Sequence, residues 1–414
     1  MSDNDTSVTT EAPTRRDTIK YGGAVVSGGL LAGCADQSNP GAETNDSNDS
    51  GNESTATASS ESWTVEIEPA GSRTFTTIPG TYTVYQGTWA DIMAALGQFE
   101  GLVGLSTPDR FPTEYYNRLP GISVDTSELT ALFPEGADSA DKEIFYELDP
   151  DINMIDPHNA MERLGFSQAD LDEIEANLAP FFGSFIREPD LTDNHPYYTL
   201  YEAIHKAAQV FREQERYQAL SELHDAFLND IETRLPASDA QRTFATINHN
   251  WWDDGSEIYA WKSHIPGSTR KSIRDLGLRK ENNAFEGQFN GNVNVQIDAE
   301  GLLEADPDSI IYMDGIRMVQ GFESGADRIT FQDTVVQQFK NDPVLSEVTA
   351  VKNDRIAPGP VWEIGPVVNF FNTEILAKAL YPDQFGEYVG FEEPPDGEKL
   401  FDRQRLADII QGNI

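Results

Sequence analysis

Aromatic rings and scarce positive charges gather in loops expected to follow strands, where together they could hold a large, flat or apolar anion. Five of the six tryptophans, Trp89, Trp251, Trp252, Trp261 and Trp362, fall in or beside such loops; Trp63 does not. Tyr85, Tyr115 and Tyr116 add aromatic surface in the first half of the chain. Rings give broad rigid contact area, and guanidinium or ammonium groups match an anion's charge. The cationic candidates are Arg110, Lys262, Arg270 and Lys271, with His158, His249 and His264 as further donors. The plain alternative is that aromatic residues after strands close a core.

Other chemistries find less support. The three histidines could meet a Glu or Tyr on a bare metal ion, but no H-x-x-x-H or H-x-H spacing occurs, so no metal ligand is expected. No G-x-x-x-x-G-K-[ST] loop, H-E-x-x-H or G-x-S-x-G is present. Asp253-Asp254 beside Trp251-Trp252 has the look of a glycosidase subsite, which keeps a secreted carbohydrate-active enzyme as a remote alternative. No catalytic residue is assigned, and the expectation is a binding protein.

The acid excess bounds the partners. With 70 Asp+Glu against 29 Lys+Arg, the net charge is −41 on 414 residues. Such a chain has no broad basic surface for nucleic acid or an anionic membrane. At 38% hydrophobic it still has enough apolar residues for packed cores. Acids spread along the whole length suit multi-molar salt, where screening acts over roughly 3 Å or less.

The first 62 residues read as an address and a tether. Arg15-Arg16 precedes a mildly apolar stretch, Tyr21 to Ala32, too short and Gly-rich to span a bilayer permanently. It ends in Leu31-Ala32-Gly33-Cys34, and Cys34 is the only cysteine, so no internal disulfide forms. These features resemble a twin-arginine export signal closed by a lipoprotein box, which implies cleavage before Cys34 and lipidation of its thiol. Residues 35–62 are an acidic Ser/Asn/Asp linker without aromatic residues, carrying sequons at Asn45, Asn48 and Asn52.

One displaced repeat organises the rest of the chain. Asp141-Lys142-Glu143-Ile144-Phe145-Tyr146-Glu147-Leu148-Asp149-Pro150-Asp151 returns 157 residues later, beginning at Asp298-Ala299-Glu300 and ending at Asp306-Pro307-Asp308. Each copy predicts a short helix with an Asp N-cap and a stop at Asp-Pro, then a strand at Ile152–Ile155 or Ser309–Tyr312. Strands are also expected at 81–85, 102–105, 243–247 and 257–260, with helices at 89–96, 112–118 and 269–276. A helix over about 216–235 is long enough to join two lobes. The predicted architecture is α/β: two Rossmann-like lobes with parallel-type sheets, joined by one long rigid helix, with a cleft between them. The expected divisions are 1–34 signal, 35–62 linker, 63–195 first lobe, 196–236 helical segment and 237–414 second lobe.

Six stretches resemble the substrate-binding proteins of ABC importers for iron(III) siderophores, haem and cobalamin, in a haloarchaeal lipoprotein form. They are Asp91–Gly97, Leu102–Leu105, the two repeat copies, Val348–Ile356, and Val361–Pro366 with Ala377–Asp383. The resemblance implies a monomer that carries no intrinsic cofactor, holds an Fe(III) chelate of hydroxamate or catecholate type between its lobes, and docks on a membrane permease dimer. Haem or cobalamin on the same fold are alternatives. It also implies one docking glutamate per lobe, at the positions of Glu143 and Glu300. The ligand contacts expected are Tyr85, Trp89, Arg110, Trp252, Trp261, His264, Arg270 and Trp362. The protein would sit outside the cell, lipid-anchored to the outer face of the cytoplasmic membrane.

Overall fold

The computed structural model describes residues 62–133, 139–188, 196–237, 241–249, 257–319, 322–324, 327–390 and 392–414. The stretch read as an export signal, Cys34, the sequons, Trp251, Trp252 and Asp253-Asp254 lie outside the described residues.

After a hairpin, β1 (Trp63–Ile67) with β2 (Gly71–Phe75), the first lobe is built on a parallel sheet. Its spatial order is β5 (Thr130–Ala131), β4 (Leu102–Leu105), β3 (Tyr82–Val84), β6 (Ile152–Met154). Helices α1 (Gly87–Ala95), α2 (Lys142–Leu148) and α3 (Gln168–Asn177) flank it. The stretch expected as a helix at 112–118 is instead a tight 3₁₀ segment, Thr113–Arg118.

Helix α4 (Leu200–Phe211) starts with a capping box between Thr199 and Glu202, and Arg212 in the left-handed region reverses the chain into α5 (Gln214–Arg234). At 21 residues, α5 covers roughly 31 Å. This is the predicted long helix, within two residues at its start.

The second sheet runs β13 (Ile356–Pro358), β10 (Ser309–Tyr312), β7 (Phe244–His249), β8 (Ile258–Trp261), β9 (Asn294–Ile297). Its first three strands are parallel, whereas β8 and β9 join antiparallel. The reason is connection length: eight residues separate β7 from β8, too few for a parallel crossover. Two further strands, β11 (Phe322–Ser324) and β12 (Asp327–Ile329), pair only with each other. Three helices matter below: α6 (Lys271–Asp275), α7 (Ala299–Ala305) and α8 (Pro366–Leu380).

The repeat has one structure in both lobes. Asp141 caps α2 and Asp298 caps α7, and each helix ends on an Asp in the left-handed region, Asp149 or Asp306. The last Asp of each copy then clamps the start of the neighbouring strand. Asp151 Oδ2 accepts from the Gly80 and Thr81 backbone nitrogens, and Asp308 Oδ2 accepts from the Thr243 nitrogen and hydroxyl. In return the Asp151 and Asp308 N–H groups donate to the Thr81 and Thr243 hydroxyls. The aspartates of the repeat are thus largely structural, whereas its glutamates, Glu143, Glu147, Glu300 and Glu304, are exposed.

One apolar core joins Trp89 and Ile92 of the first lobe, Leu220 and Phe227 of α5, Ile311 of the second sheet and Phe370 of α8. Separate cores lie on the other sheet faces, around Phe145 and Phe181 in one lobe and Leu302 and Phe339 in the other. Helix α8 is buried on nearly every side and packs against α1 and α6, so it belongs mechanically to both lobes.

Candidate functional site

The carboxyl ends of the two sheets face one another. Glu363, beyond β13, accepts a hydrogen bond from the Gly87 nitrogen, beyond β3, at 2.8 Å. Arg110, exposed after β4, acts electrostatically on both Glu363 and Asp314, which follows β10. This is the switch-point location where open α/β sheets hold ligands.

Four arginines lie near enough to act on its acids or on Tyr85. Arg163 and Arg187 act on the half-buried Tyr85, while Arg110, Arg187 and Arg317 act on Glu363 and Asp314. Burial pushes the Asp314 carboxyl up to about 7, against the pull of Arg317 and Arg110. Burial raises Glu363 as well, opposed by Arg187 and the Gly87 hydrogen bond. Asp314 occupies a left-handed turn whose N–H donates to the Pro360 carbonyl at 2.9 Å. Its neighbours Gly315 and Gly359 leave no room for a side chain: a Cβ on Gly359 would lie 2.7 Å from the Tyr312 carbonyl oxygen. The turn is therefore fixed by backbone packing.

Beside these groups two adjacent rings are flanked by guanidinium groups. Arg187 lies 5.5 Å from the Trp362 ring, Trp362 meets Trp261 edge-on at 5.1 Å, and Arg270 lies 5.0 Å from Trp261. The Trp261 indole donates to Asn248 Oδ1 at 2.6 Å, which fixes its ring plane. Both tryptophans are partly exposed. A flat or apolar ligand can rest on this wall while its anionic atoms meet the arginines.

Several expected contacts are placed elsewhere. Trp89 is 2% exposed, its indole N–H held by the Ser184 carbonyl, so it belongs to the core. Arg270 is 1% exposed and pairs with Glu188 at 3.4 Å, so it supports Trp261 from behind. Burial lowers it to about 10. Lys271 is bound to Asp275 and His224 inside the protein, and that Asp275 also receives Asn369. Lys262 turns toward Phe289. His249 is held by the Tyr312 hydroxyl at 3.0 Å, and burial depresses it to about 4. His264 contacts its neighbour Ser263, and burial lowers it too. Tyr115 and Tyr116 are buried, bonded to Asn372 and Asp91. Tyr85, Arg110, Trp261 and Trp362 are brought together; Trp252 lies outside the described residues.

Sequence reasoning missed Arg163, Arg187, Arg317, Asp314 and Glu363. Asp314-Gly315 directly after a predicted strand was the available signal, since that pair marks a turn at the ligand end of a sheet.

The profile of the periplasmic binding protein family matches residues 83–360, from β3 to just past β13 and over more than half the chain. The chain belongs to the periplasmic binding protein family. It is a binding protein rather than an enzyme. Solved structures agree on the fold. A periplasmic binding protein from Veillonella parvula has 15% identity and TM-score 0.54, covering 77% of this chain and 97% of its own. The iron uptake ABC transporter substrate-binding protein PiuA from Streptococcus pneumoniae has 17% identity and TM-score 0.51, with coverage of 77% and 98%. Helicobacter pylori Ceue with Ni(II) bound has 14% identity and TM-score 0.50, with coverage of 78% and 90%. No curated protein matches the binding protein by sequence. Among the described residues no helix is long and apolar enough to cross a membrane.

Proposed function

We propose that this binding protein captures an anionic iron(III) chelate outside the cell and hands it to the permease of an ABC importer. The observation that carries the reading is the wall at the sheet ends, where Arg187 lies 5.5 Å from the Trp362 ring beside Trp261, with the charges of Arg110 and Arg317 acting on the neighbouring acids, on a chain with a net charge of −41. In so acidic a protein, convergent guanidinium groups imply an anionic ligand. The chelate is cargo, and no resident cofactor is proposed. The iron-uptake role of the S. pneumoniae protein supports the same class.

The Trp261–Trp362 wall favours a second reading, a planar macrocycle such as haem or a corrin, since exposed rings also stack on flat faces. Delivery would use Glu143 and Glu300, both exposed in the first turns of α2 and α7. Each helix runs back from the carboxyl ends of the strands, so both carboxylates sit on the cleft side of their lobes. Two equivalent acids fit two equivalent basic patches of a permease dimer. Export by the twin-arginine route, a lipid on Cys34 and operation in multi-molar salt complete the proposal.

The test is a titration in multi-molar salt, following tryptophan fluorescence against ferric catecholate, ferric hydroxamate, haem and cobalamin. Saturable binding of an anionic ferric chelate, lost in Arg187→Gln and Arg317→Gln, is the expected result. Tight binding of a neutral or cationic chelate that is unaffected by those substitutions would overturn it.

A further inference from the structure

The pieces of the aromatic wall come from different lobes, and one buried hydroxyl lies where they meet. Arg187 ends a first-lobe loop that its own lobe fastens at two points. The Trp89 indole donates to the Ser184 carbonyl at 2.8 Å, and Asp156 Oδ2 accepts from the Phe185 nitrogen at 2.8 Å. The far end of the loop is bonded to the second lobe. Ser268 N donates to the Ile186 carbonyl at 3.0 Å, and Thr269 N donates to the Arg187 carbonyl at 3.3 Å. Gly267 permits the approach: its φ is +130°, and a Cβ there would lie 2.3 Å from the Arg187 oxygen.

Thr269 is where this seam reaches Trp362. Its hydroxyl lies 3.1 Å from the Arg187 carbonyl oxygen and 3.2 Å from the Trp362 carbonyl oxygen, and the residue is 1% exposed. A hydroxyl has one hydrogen to donate. The Arg187 carbonyl has a second donor in the Thr269 N–H, whereas among the described residues no other donor reaches the Trp362 carbonyl. The contact of the Arg187 guanidinium with the Trp362 ring is partly exposed, and such pairs are weak where water reaches them. The Trp261 ring is already fixed by Asn248, which leaves Trp362 as the member still to be placed. We propose that Thr269 is the positioning residue of the ligand wall: its hydroxyl sets Trp362 against Arg187 and against Trp261. The ligand meets rings and a guanidinium group already in place, so less freedom is lost on binding. The neighbouring Ser268 hydroxyl, buried and without a hydrogen-bond partner among the described residues, is the natural control.

This inference rests on the wall being the chelate site. The experiment compares Thr269→Val, Thr269→Ser and Ser268→Ala with the wild-type full chain in multi-molar salt. Valine keeps the branched shape of threonine without the hydroxyl, and serine keeps the hydroxyl. Thr269→Ala is the second hydroxyl-free variant should valine fail to fold. In the ligand-free protein, circular dichroism reads the exciton couplet of the Trp261–Trp362 pair as the difference from Trp261→Phe. Calorimetric titration with ferric enterobactin and with ferric citrate, both anionic chelates, reads affinity. Thr269→Val should alter the couplet and lower affinity by about three- to tenfold. Thr269→Ser and Ser268→Ala should keep the couplet, with affinity within about twofold of wild type. A couplet unchanged in Thr269→Val, or affinity lost equally in Thr269→Ser, overturns the inference and leaves the chelate site standing. An altered couplet with unchanged affinity also overturns it, since the ligand then does not use the pair. Failure of both chelates to bind the wild-type chain overturns the site reading and the inference with it.

Discussion

Asp91 and Glu363 cap each other's helices across the two lobes. Asp91, inside α1, accepts from the Val368 nitrogen at the start of α8. Glu363, just before α8, accepts from the Gly87 nitrogen at the start of α1. Each carboxylate faces the positive end of the other's helix, where orphan N–H groups need acceptors. The exchange forms the floor of the cleft, and it ties the lobes by polar contacts as well as by their shared core. Movement of one lobe against the other must break at least one cap, so large hinge opening is disfavoured.

Gly365 makes this exchange possible. A Cβ there would lie 2.4 Å from Asp91 Cβ and 2.6 Å from its Oδ2, in space that the buried acid fills. Gly365→Ala should therefore destabilise by about 1–3 kcal/mol, as overpacking does. Thermal unfolding in fixed multi-molar salt would read it. An unchanged Tm would mean that the two helix ends are loosely held.

Asp91 also gives the protein a pH-dependent stability. Burial pushes its carboxyl up to about 7, although Tyr116, Val368 and neighbouring N–H groups all pull it down. The folded protein thus binds this proton more tightly than the unfolded chain does. Stability linked to Asp91 is fully present below the ordinary carboxyl range near 4 and is lost as pH rises toward about 7. The slope is at most about 1.4 kcal/mol per pH unit. Tm should fall between pH 5 and pH 8 at constant salt, and Asp91→Asn should flatten that decline. A Tm that rises over the same interval would contradict the assignment.

The two repeat copies separate structural aspartates from exposed glutamates, and of the latter the first-turn pair is expected to matter for delivery. Asp151 and Asp308 are spent on strand clamps, whereas the Glu143 and Glu300 side chains make no hydrogen bond or ion pair among the described residues. Glu143→Lys combined with Glu300→Lys should leave Tm within about 0.5 kcal/mol equivalent, since surface substitutions cost little. Ligand affinity should also be unchanged, while uptake by cells is lost. Lost affinity would place these residues in the cleft instead.

Much of the scaffold was legible because it rests on local rules. Caps, Asp-Pro stops and alternating strands and helices fix α2, α7, β6 and β10 within a residue or so. The cleft was less legible, because which charge reaches it depends on partners far away in sequence. Arg270 and Lys271 are rare bases beside a predicted loop, yet Glu188 and Asp275 hold them inside the fold. Arg187 and Arg317 carry no local mark, and it is the meeting of two sheets that makes them neighbours. The antiparallel β8 was hidden for a similar reason: strand direction follows from connection length rather than from composition.

Trp89 and Trp362 put that distinction to a measurement, because both are tryptophans near strand ends and only one faces the gap. Trp89→Phe removes the donor to the buried Ser184 carbonyl and leaves that acceptor unmet. The cost should be about 1–3 kcal/mol of stability, with ligand affinity unchanged. Trp362→Ala removes a partly exposed ring that Arg187 and Trp261 contact from two sides, so the wall loses its middle member. Affinity for a ferric chelate should fall by about tenfold or more, as truncation of a buried aromatic anchor does. Stability should move less than in Trp89→Phe. The readouts are independent: calorimetric titration for affinity and thermal unfolding for stability. If Trp89→Phe weakens binding while Trp362→Ala leaves it intact, the ligand lies on the other side of α1, and the cleft between Arg110 and Trp362 is not its site.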